Sequence, residues 1–415
     1  MDKALIPSGL PRASMSKFLL WILPWVGLGL FGVYSIFLCL RYALNMTGMD
    51  NRYAFGIWIV FDLIVIGLGA GAFFLGFLTY ILRRKKLRPI MNSAVVVGFI
   101  CYSGALTTLA IDVGQPIRAW FPFWHANIHS MLTEVVFCIT CYLMVLLIEY
   151  VPLLLKNRQL KSIPGLLVFE YDLHKIMAVF AGIGTFLSFF HQGSLGGMFG
   201  VMYGRTFAFR EHFFIWPTTF FLFILSAIAV GPSFMSIIAM TVQKITSKKL
   251  IRLETFTELG LISGILLSCY FIAKLLDTAR WWFTTVPGLD AVPAWFYANQ
   301  PFGIWVLVVE LFVFGLVPPI IFLGKKRRQS MSWLALGSIF ACVGIAFNRF
   351  IVTIQAQTVP TLTFDEFYTY APTWQEWGVI GAVVAYGVLL YSLSYRFLPL
   401  FPQERELALQ QRRRG

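Results

Sequence analysis

A chain of 415 residues with 58% hydrophobic and 13% charged side chains, and a mean hydropathy of +0.76, lacks the polar surface that a soluble domain of this size needs. The net charge of +14 does not signal nucleic acid, because the Lys and Arg residues are confined to short runs between long apolar stretches. Composition therefore excludes a soluble enzyme and a nucleic-acid-binding protein, and it points to an integral membrane protein.

In chain order, apolar runs predict transmembrane helices near 18–44, 54–82, 89–112, 128–153, 175–202, 212–242, 254–276, 302–324, 331–354 and 376–398. The expected fold is all-α and polytopic, with ten spans. The first run follows a basic, proline-containing lead and is too long for a cleavable signal, so it reads as a retained helix. Cations cluster at Lys3, Arg12 and Lys17, at Arg83 to Lys86 with Arg88, and at Lys156, Arg158 and Lys161. The pattern continues at Lys244, Lys248, Lys249 and Arg252, at Lys325 to Arg328, and at Arg405 with Arg412 to Arg414. These are alternate connections; the intervening ones hold only Arg52, Arg118, Arg205, Arg210 and Arg280. The positive-inside rule then puts both termini in the cytoplasm.

Residues 1–415 read as a single membrane domain. One four-helix bundle is expected over 54–202 and another over 212–354, with 18–44 and 376–398 as peripheral helices. The longer connections, 113–126, 277–301 and 355–375, face outward. They carry Trp120, Phe121, Phe123, Trp124, Trp281, Trp282, Trp295, Phe296 and Tyr297, read as an interfacial belt and as a docking face for an extracytoplasmic partner. The run Gly193, Gly196, Gly197, Gly200 and Gly204 is denser than packing needs and predicts a fifth helix that loosens near its outer end. Cys138 and Cys141 form a C-x-x-C with no second pair, whereas an iron–sulfur cluster takes four thiolates, so the cysteines are read as packing residues and no metal site is expected.

Ionisable residues inside spans are costly and mark function by default. Asp62 falls roughly 12 Å below the outer end of the second span at ~1.5 Å per residue. Asp112 closes the third span, His129 and Glu134 begin the fourth, and His191 lies in the outer half of the fifth, so one depth receives all of them. Ser130 and Glu134 share a helix face, and Ser188 neighbours His191. Burial favours the neutral forms of carboxyl and imidazole, which lets such groups pass protons at cellular pH. Lys274, Asp277, Arg280, Glu310 and Arg349 form a second set of mixed sign, whose expected purpose is mutual neutralisation.

A quinone suits the first set: it needs a hydrogen-bond partner at each carbonyl, protons, and an apolar slot for its tail. His191, Gln192, Asp112 and Glu134 are candidates for the first two. Two stacked b haems are excluded by counting, since of His125, His129, His174, His191 and His212 only His174 lies toward the inner side. A single-haem b-type anchor between His129 and His191, and a proton-coupled secondary transporter, stay open as alternatives. A passive anchor leaves the costly ionisable groups unexplained.

At these residues the chain resembles the NrfD/PsrC (polysulfide reductase NrfD-type) family of quinone-interacting membrane subunits. The matching pieces are Phe55 to Asp62; Asp112-Val113-Gly114-Gln115-Pro116 with Arg118 and Trp120; His125 to Ser130 leading to Glu134; and His191-Gln192-Gly193-Ser194-Leu195-Gly196. Ten spans resemble the larger branch, which includes hydrogenase-linked subunits and the integral subunit of menaquinone reductase complexes, the latter being the nearer likeness. The resemblance implies a multi-pass location in a prokaryotic inner membrane. It implies exchangeable menaquinone, with no haem or iron–sulfur cluster in this chain. It implies a periplasmic ferredoxin-like iron–sulfur subunit on the outer face, fed by a catalytic-type or multihaem cytochrome c subunit. The quinone pocket is then expected at His191, Gln192, Asp112, Glu134, His129, Asp62, Ser130 and Arg118, with His191, Glu134 and Asp112 as the catalytic groups. From the residues themselves, Glu149, Tyr142 and Thr140 on the fourth span and His174, Thr185 and Ser188 on the fifth are candidates for a proton path from inside, and uptake from outside stays open as the alternative.

Overall fold

The computed structural model describes residues 5–7, 9–157, 164–360 and 366–412, with side chains described outside 72–73, 164–178 and 411–412. Lys3, Arg158, Lys161, His174 and Arg412 to Arg414 therefore lie outside the described side chains. The fold is all-α: α1 (Met15–Tyr42), α2 (Ile57–Gly76), α3 (Met91–Asp112), α4 (Met131–Leu155), α5 (Pro164–Gly200), α6 (Thr218–Thr246), α7 (Leu253–Arg280), α8 (Trp305–Leu323), α9 (Met331–Thr353) and α10 (Trp374–Phe397). Among the described residues nine of these are long and apolar enough to cross a membrane; α5 covers the predicted run from 175 as far as Gly200. Wider π turns extend α2 through Phe77–Ile81 and occupy Val309–Leu316 within α8.

The boundaries follow local chemistry. Ser14 caps α1, and Thr373 with Glu376 forms a reciprocal capping box on α10. The run predicted to begin at 212 becomes helical only at Thr218. Its first residues form a tight hairpin, His212–Phe213 against Trp216–Pro217, with Phe214 at φ 60°. Pro217 then leads into α6 in an extended conformation.

Small residues decide which helices meet. A Cβ on Gly71 would lie 2.0 Å from Gly231 Cα, so α2 and α6 touch backbone to backbone. A Cβ on Gly32 would lie 2.5 Å from Gly378 O, which fixes α1 against α10. α10 in turn packs on α3, while α2, α5 and α9 all contact α6.

The glycines of α5 correct the sequence reading. The helix is continuous to Gly200, and its glycine stripe seats α6: a Cβ on Gly193 would meet the Phe220 ring at 2.4 Å, and one on Gly196 would meet Thr219 O at 2.4 Å. The stripe is a close-packing device, not a weak point.

The aromatic belt is also divided. Trp281, Phe296 and Tyr297 are buried. Trp281 donates to Thr206 O at 2.8 Å and stacks on Phe207, so these rings form a packed cap over the helix ends opposite the basic connections. Trp120, Phe121, Phe123, Trp124 and Trp295 are exposed, as expected.

Candidate functional site

The site begins where α2, α3 and α10 end on the side opposite the basic connections. Asp62, on the second turn of α2, is buried, and its Oδ1 has no hydrogen-bond partner among the described residues. Asp112 closes α3 at the helix end where a negative charge is least favoured, and its Oδ1 is likewise buried without a partner. The two carboxyls lie within electrostatic reach of each other, and Asp112 also feels Glu376.

Glu376 is fully buried but fully engaged. It accepts from Gly48 N–H at 2.8 Å, from Thr373 N–H at 2.8 Å and from the Tyr370 hydroxyl. Tyr370 in turn accepts from Ile57 N–H at 2.8 Å, which ties the start of α10 to the start of α2. Gly56 lets this happen: a Cβ there would lie 2.7 Å from the Tyr370 hydroxyl. The Trp58 indole donates to Glu376 O at 3.0 Å. The Phe55 to Asp62 motif thus positions Asp62 through backbone and indole contacts.

Deeper between α3, α4 and α5 lies a polar nest. Tyr102 and Tyr142 meet edge-on with centroids 4.0 Å apart, and the Tyr102 and His191 rings are 6.0 Å apart. The Tyr102 hydroxyl is 3.4 Å from Ser188 Oγ. Both His191 nitrogens and both polar atoms of the Gln192 amide are buried with no hydrogen-bond partner among the described residues. The Val135 backbone and the Tyr102 hydroxyl approach them without meeting hydrogen-bond geometry. Gly69 lets α3 come this close to α2, since a Cβ there would lie 2.6 Å from Cys101 Cβ.

Buried polar atoms are nearly always paired, because leaving one unpaired costs about 1–3 kcal/mol. Two pairs of side chains carry this unmet capacity, Asp62 with Asp112 near the helix ends and His191 with Gln192 deeper along α5.

The remaining predicted residues fall elsewhere. Glu134 is half-buried on the first turn of α4, within electrostatic reach of Cys138 and next in sequence to Val135. Ser130 is half-buried just before α4. His129 and Arg118 are exposed; the first follows an Asn127 turn and the second lies over the Phe121 ring. Of the described histidine side chains only His191 is buried, while His125, His129 and His212 are exposed. Tyr142, Ser188 and Glu149 are buried, and the Thr140 hydroxyl bonds back to Val136 O at 2.8 Å. His174 lies outside the described side chains.

Two residues not singled out from sequence belong to the site, Tyr102 and Glu376. Thr373-x-x-Glu376 is a legible capping-box signal. Tyr102 sits in an apolar run and carried no signal of its own.

Within the second ionisable set Lys274, Glu310 and Arg349 form a buried network, while Arg280 is exposed. Lys274 pairs with Glu310 at 3.2 Å, and Asn348 bridges Glu310 to Arg349. Asp277 pairs with Arg210 at 3.0 Å and Arg280 pairs with Glu211, so these two are neutralised by the 201–217 connection and not within the set.

Residues 45–361 match the family described as Polysulphide reductase, NrfD. The chain is 48% identical over 412 residues to the menaquinone reductase integral membrane subunit of Nitratidesulfovibrio vulgaris, covering 98% of this chain and 97% of that one. It is 24% identical over 366 residues to the probable Ni/Fe-hydrogenase 2 b-type cytochrome subunit of Escherichia coli, covering 86% of each. It is 21% identical over 381 residues to the Hdr-like menaquinol oxidoreductase integral membrane subunit of Archaeoglobus fulgidus, covering 88% and 89% respectively.

Proposed function

The chain belongs to the NrfD polysulphide reductase family, and on that premise we propose that it is the quinone-exchanging membrane subunit of a respiratory redox complex. It is an integral, multi-pass membrane protein. The reading is that menaquinone is reduced between α2, α3 and α5 with electrons from an iron–sulfur subunit on the periplasmic side. The observation that carries it is the group of buried, unpartnered atoms of Asp62, Asp112, His191 and Gln192. His191 and Gln192 hydrogen-bond the ring carbonyls. Asp112 and Asp62 hold the protons that the ring takes up, with Glu134 as a further donor at the start of α4.

The orientation follows from the charge pattern: basic connections and both termini inside, ten spans, the carboxylate end outside. Two four-helix bundles flanked by α1 and α10 fit this arrangement. The surface for the electron-donating partner is the 113–130 connection, where Ile117, Trp124 and Ile128 are 86%, 77% and 88% exposed. Such apolar exposure beside the site suits a partner carrying iron–sulfur clusters, itself served by a catalytic or multihaem cytochrome subunit.

Protons reach the site from the basic side along Glu149, Tyr142 and Tyr102. Glu149 lies within electrostatic reach of Tyr142 on one side and of Tyr80 on the other, and Tyr80 also feels Arg88 at the basic end. Uptake by this route makes quinone reduction electrogenic.

The test is His191→Ala in the intact complex. Quinone-linked turnover is expected to be nearly abolished while the partner subunits still copurify. Full turnover in that variant sinks the assignment.

A further inference from the structure

From the basic end up to Phe61, the sequence neighbour of Asp62, α1, α2, α3, α6 and α10 enclose a trough of about 950 Å³. α1 and α10 touch through Gly32 and Gly378 toward their other ends, then diverge, and the Trp21 indole bridges the gap to Ser392 at 3.1 Å. The walls are apolar, with Val97, Ile100, Ile238, Val242 and Val388 among them. The rim residues Trp21, Ile245 and Val384 are exposed, so the trough opens toward the lipid. Val383 and Arg396 mark its two ends on α10, about 20 Å apart at ~1.5 Å per residue. One leaflet has ~15 Å of hydrocarbon plus its headgroup layer.

The basic mouth has an unmet need. Arg12, Lys17, Lys248 and Arg396 all line it. Glu404 accepts from Arg12 Nη1 at 2.5 Å and from Lys248 Nζ at 3.2 Å, one carboxylate shared by two cations. The Arg12 side chain is only 3% exposed, yet its Nε and Nη2 are buried with no hydrogen-bond partner among the described residues. Desolvated guanidinium donors are costly unless an anion accepts from them. A neutral quinone leaves that charge unmet, and free phosphate leaves the apolar trough unfilled. A molecule with both an anionic head and a long apolar tail satisfies both.

We propose that the trough holds one anionic phospholipid of the leaflet on the basic side. Its phosphodiester faces Lys17 and Lys248 at the mouth, beside the Arg12 guanidinium that pairs with Glu404 and packs on the Tyr395 ring. An acyl chain lies along α10 between α1, α3 and α6. The lipid joins the peripheral helices α1 and α10 to α6, and it is a different site from the one proposed for quinone.

The test is native mass spectrometry of the intact complex taken from nanodiscs containing equal amounts of phosphatidylglycerol and phosphatidylcholine. One retained phosphatidylglycerol per chain is expected, favoured about tenfold, which is what a charge-assisted hydrogen bond contributes. Arg12→Gln and Lys17→Gln should each weaken the preference by removing a positive charge from the mouth, and Val388→Phe should expel the lipid by filling the trough. Equal retention of the two lipids, no retained lipid, or an isoprenoid quinone displaced by Val388→Phe would each overturn the proposal. The wild-type competition and Lys17→Gln, which leaves the Glu404 pairs intact, decide the matter even if Arg12→Gln fails to assemble.

Discussion

Tyr102 and His191 face one another across the α3–α5 contact with ring centroids 6.0 Å apart, while Ser188, one turn earlier on α5, sits 3.4 Å from the Tyr102 hydroxyl. The tyrosine hydroxyl thus already has a partner, whereas the imidazole has none among the described residues. In the proposed reaction the two therefore differ in role: His191 contacts the quinone, and Tyr102 holds the wall that the imidazole rests on.

Tyr102→Phe should consequently lower quinone-linked turnover only about tenfold, the worth of one hydrogen bond. His191→Ala should cost about 10²–10⁴-fold, as expected for a group that acts on the proton inventory of the reaction. Steady-state rates of the purified complex with a soluble quinone analogue separate the two; equal losses would show that the assignment of roles is wrong.

Asp62 and Asp112 act on each other, so their amide variants should not be additive. Asp62→Asn and Asp112→Asn are each expected to reduce turnover by about 10²-fold, and the double variant by little more than either. A double-mutant cycle on kcat reads this directly. Strict additivity would mean that the two carboxyls serve separate tasks.

Glu376 is a structural acceptor for three donors from two segments, Gly48 and the Tyr370 to Thr373 stretch. Glu376→Gln should destabilise the complex by about 1–3 kcal/mol, because the amide cannot replace the carboxylate at all of them. The melting temperature of the purified complex should fall, and Tyr370→Phe should show a smaller drop in the same direction. Unchanged stability with lost turnover would move Glu376 from scaffold to chemistry.

Gly71 and Gly231 set the spacing between α2 and α6. Gly71→Ala forces the backbones apart, and overpacking of this kind costs about 1–3 kcal/mol. Reduced accumulation in the membrane is expected, with the surviving protein impaired because α2 carries Asp62. Membrane abundance by immunoblot, measured beside turnover per assembled complex, tests both halves.

Glu149→Gln should separate chemistry from charge movement. If protons enter from the basic side, a potential-sensitive dye in proteoliposomes should respond far less to quinone reduction in this variant than in the wild type. An undiminished potential would show that protons come by another way.

The membrane class, the apolar runs and the candidate site depth were legible in the chain because hydropathy and charge act locally: a run of apolar residues must be helical in lipid whatever its neighbours. The burial of Asp62 and His191 within spans was legible for the same reason, since position along a span is only residue count times helix rise. Contacts between spans were not. Tyr102 looks like any aromatic in an apolar helix until α5 places His191 beside it, and the α5 glycines look like a loosened helix end until α6 fills the space against them. Arg12 reads as one more basic flank, and only the packing of the N-terminal segment against α10 and Glu404 buries its guanidinium. Sequence determined how deep each side chain lies in the membrane; tertiary structure decided which side chains meet, because helix rotation and approach are set by small-residue fit between spans and not by hydropathy along any one of them.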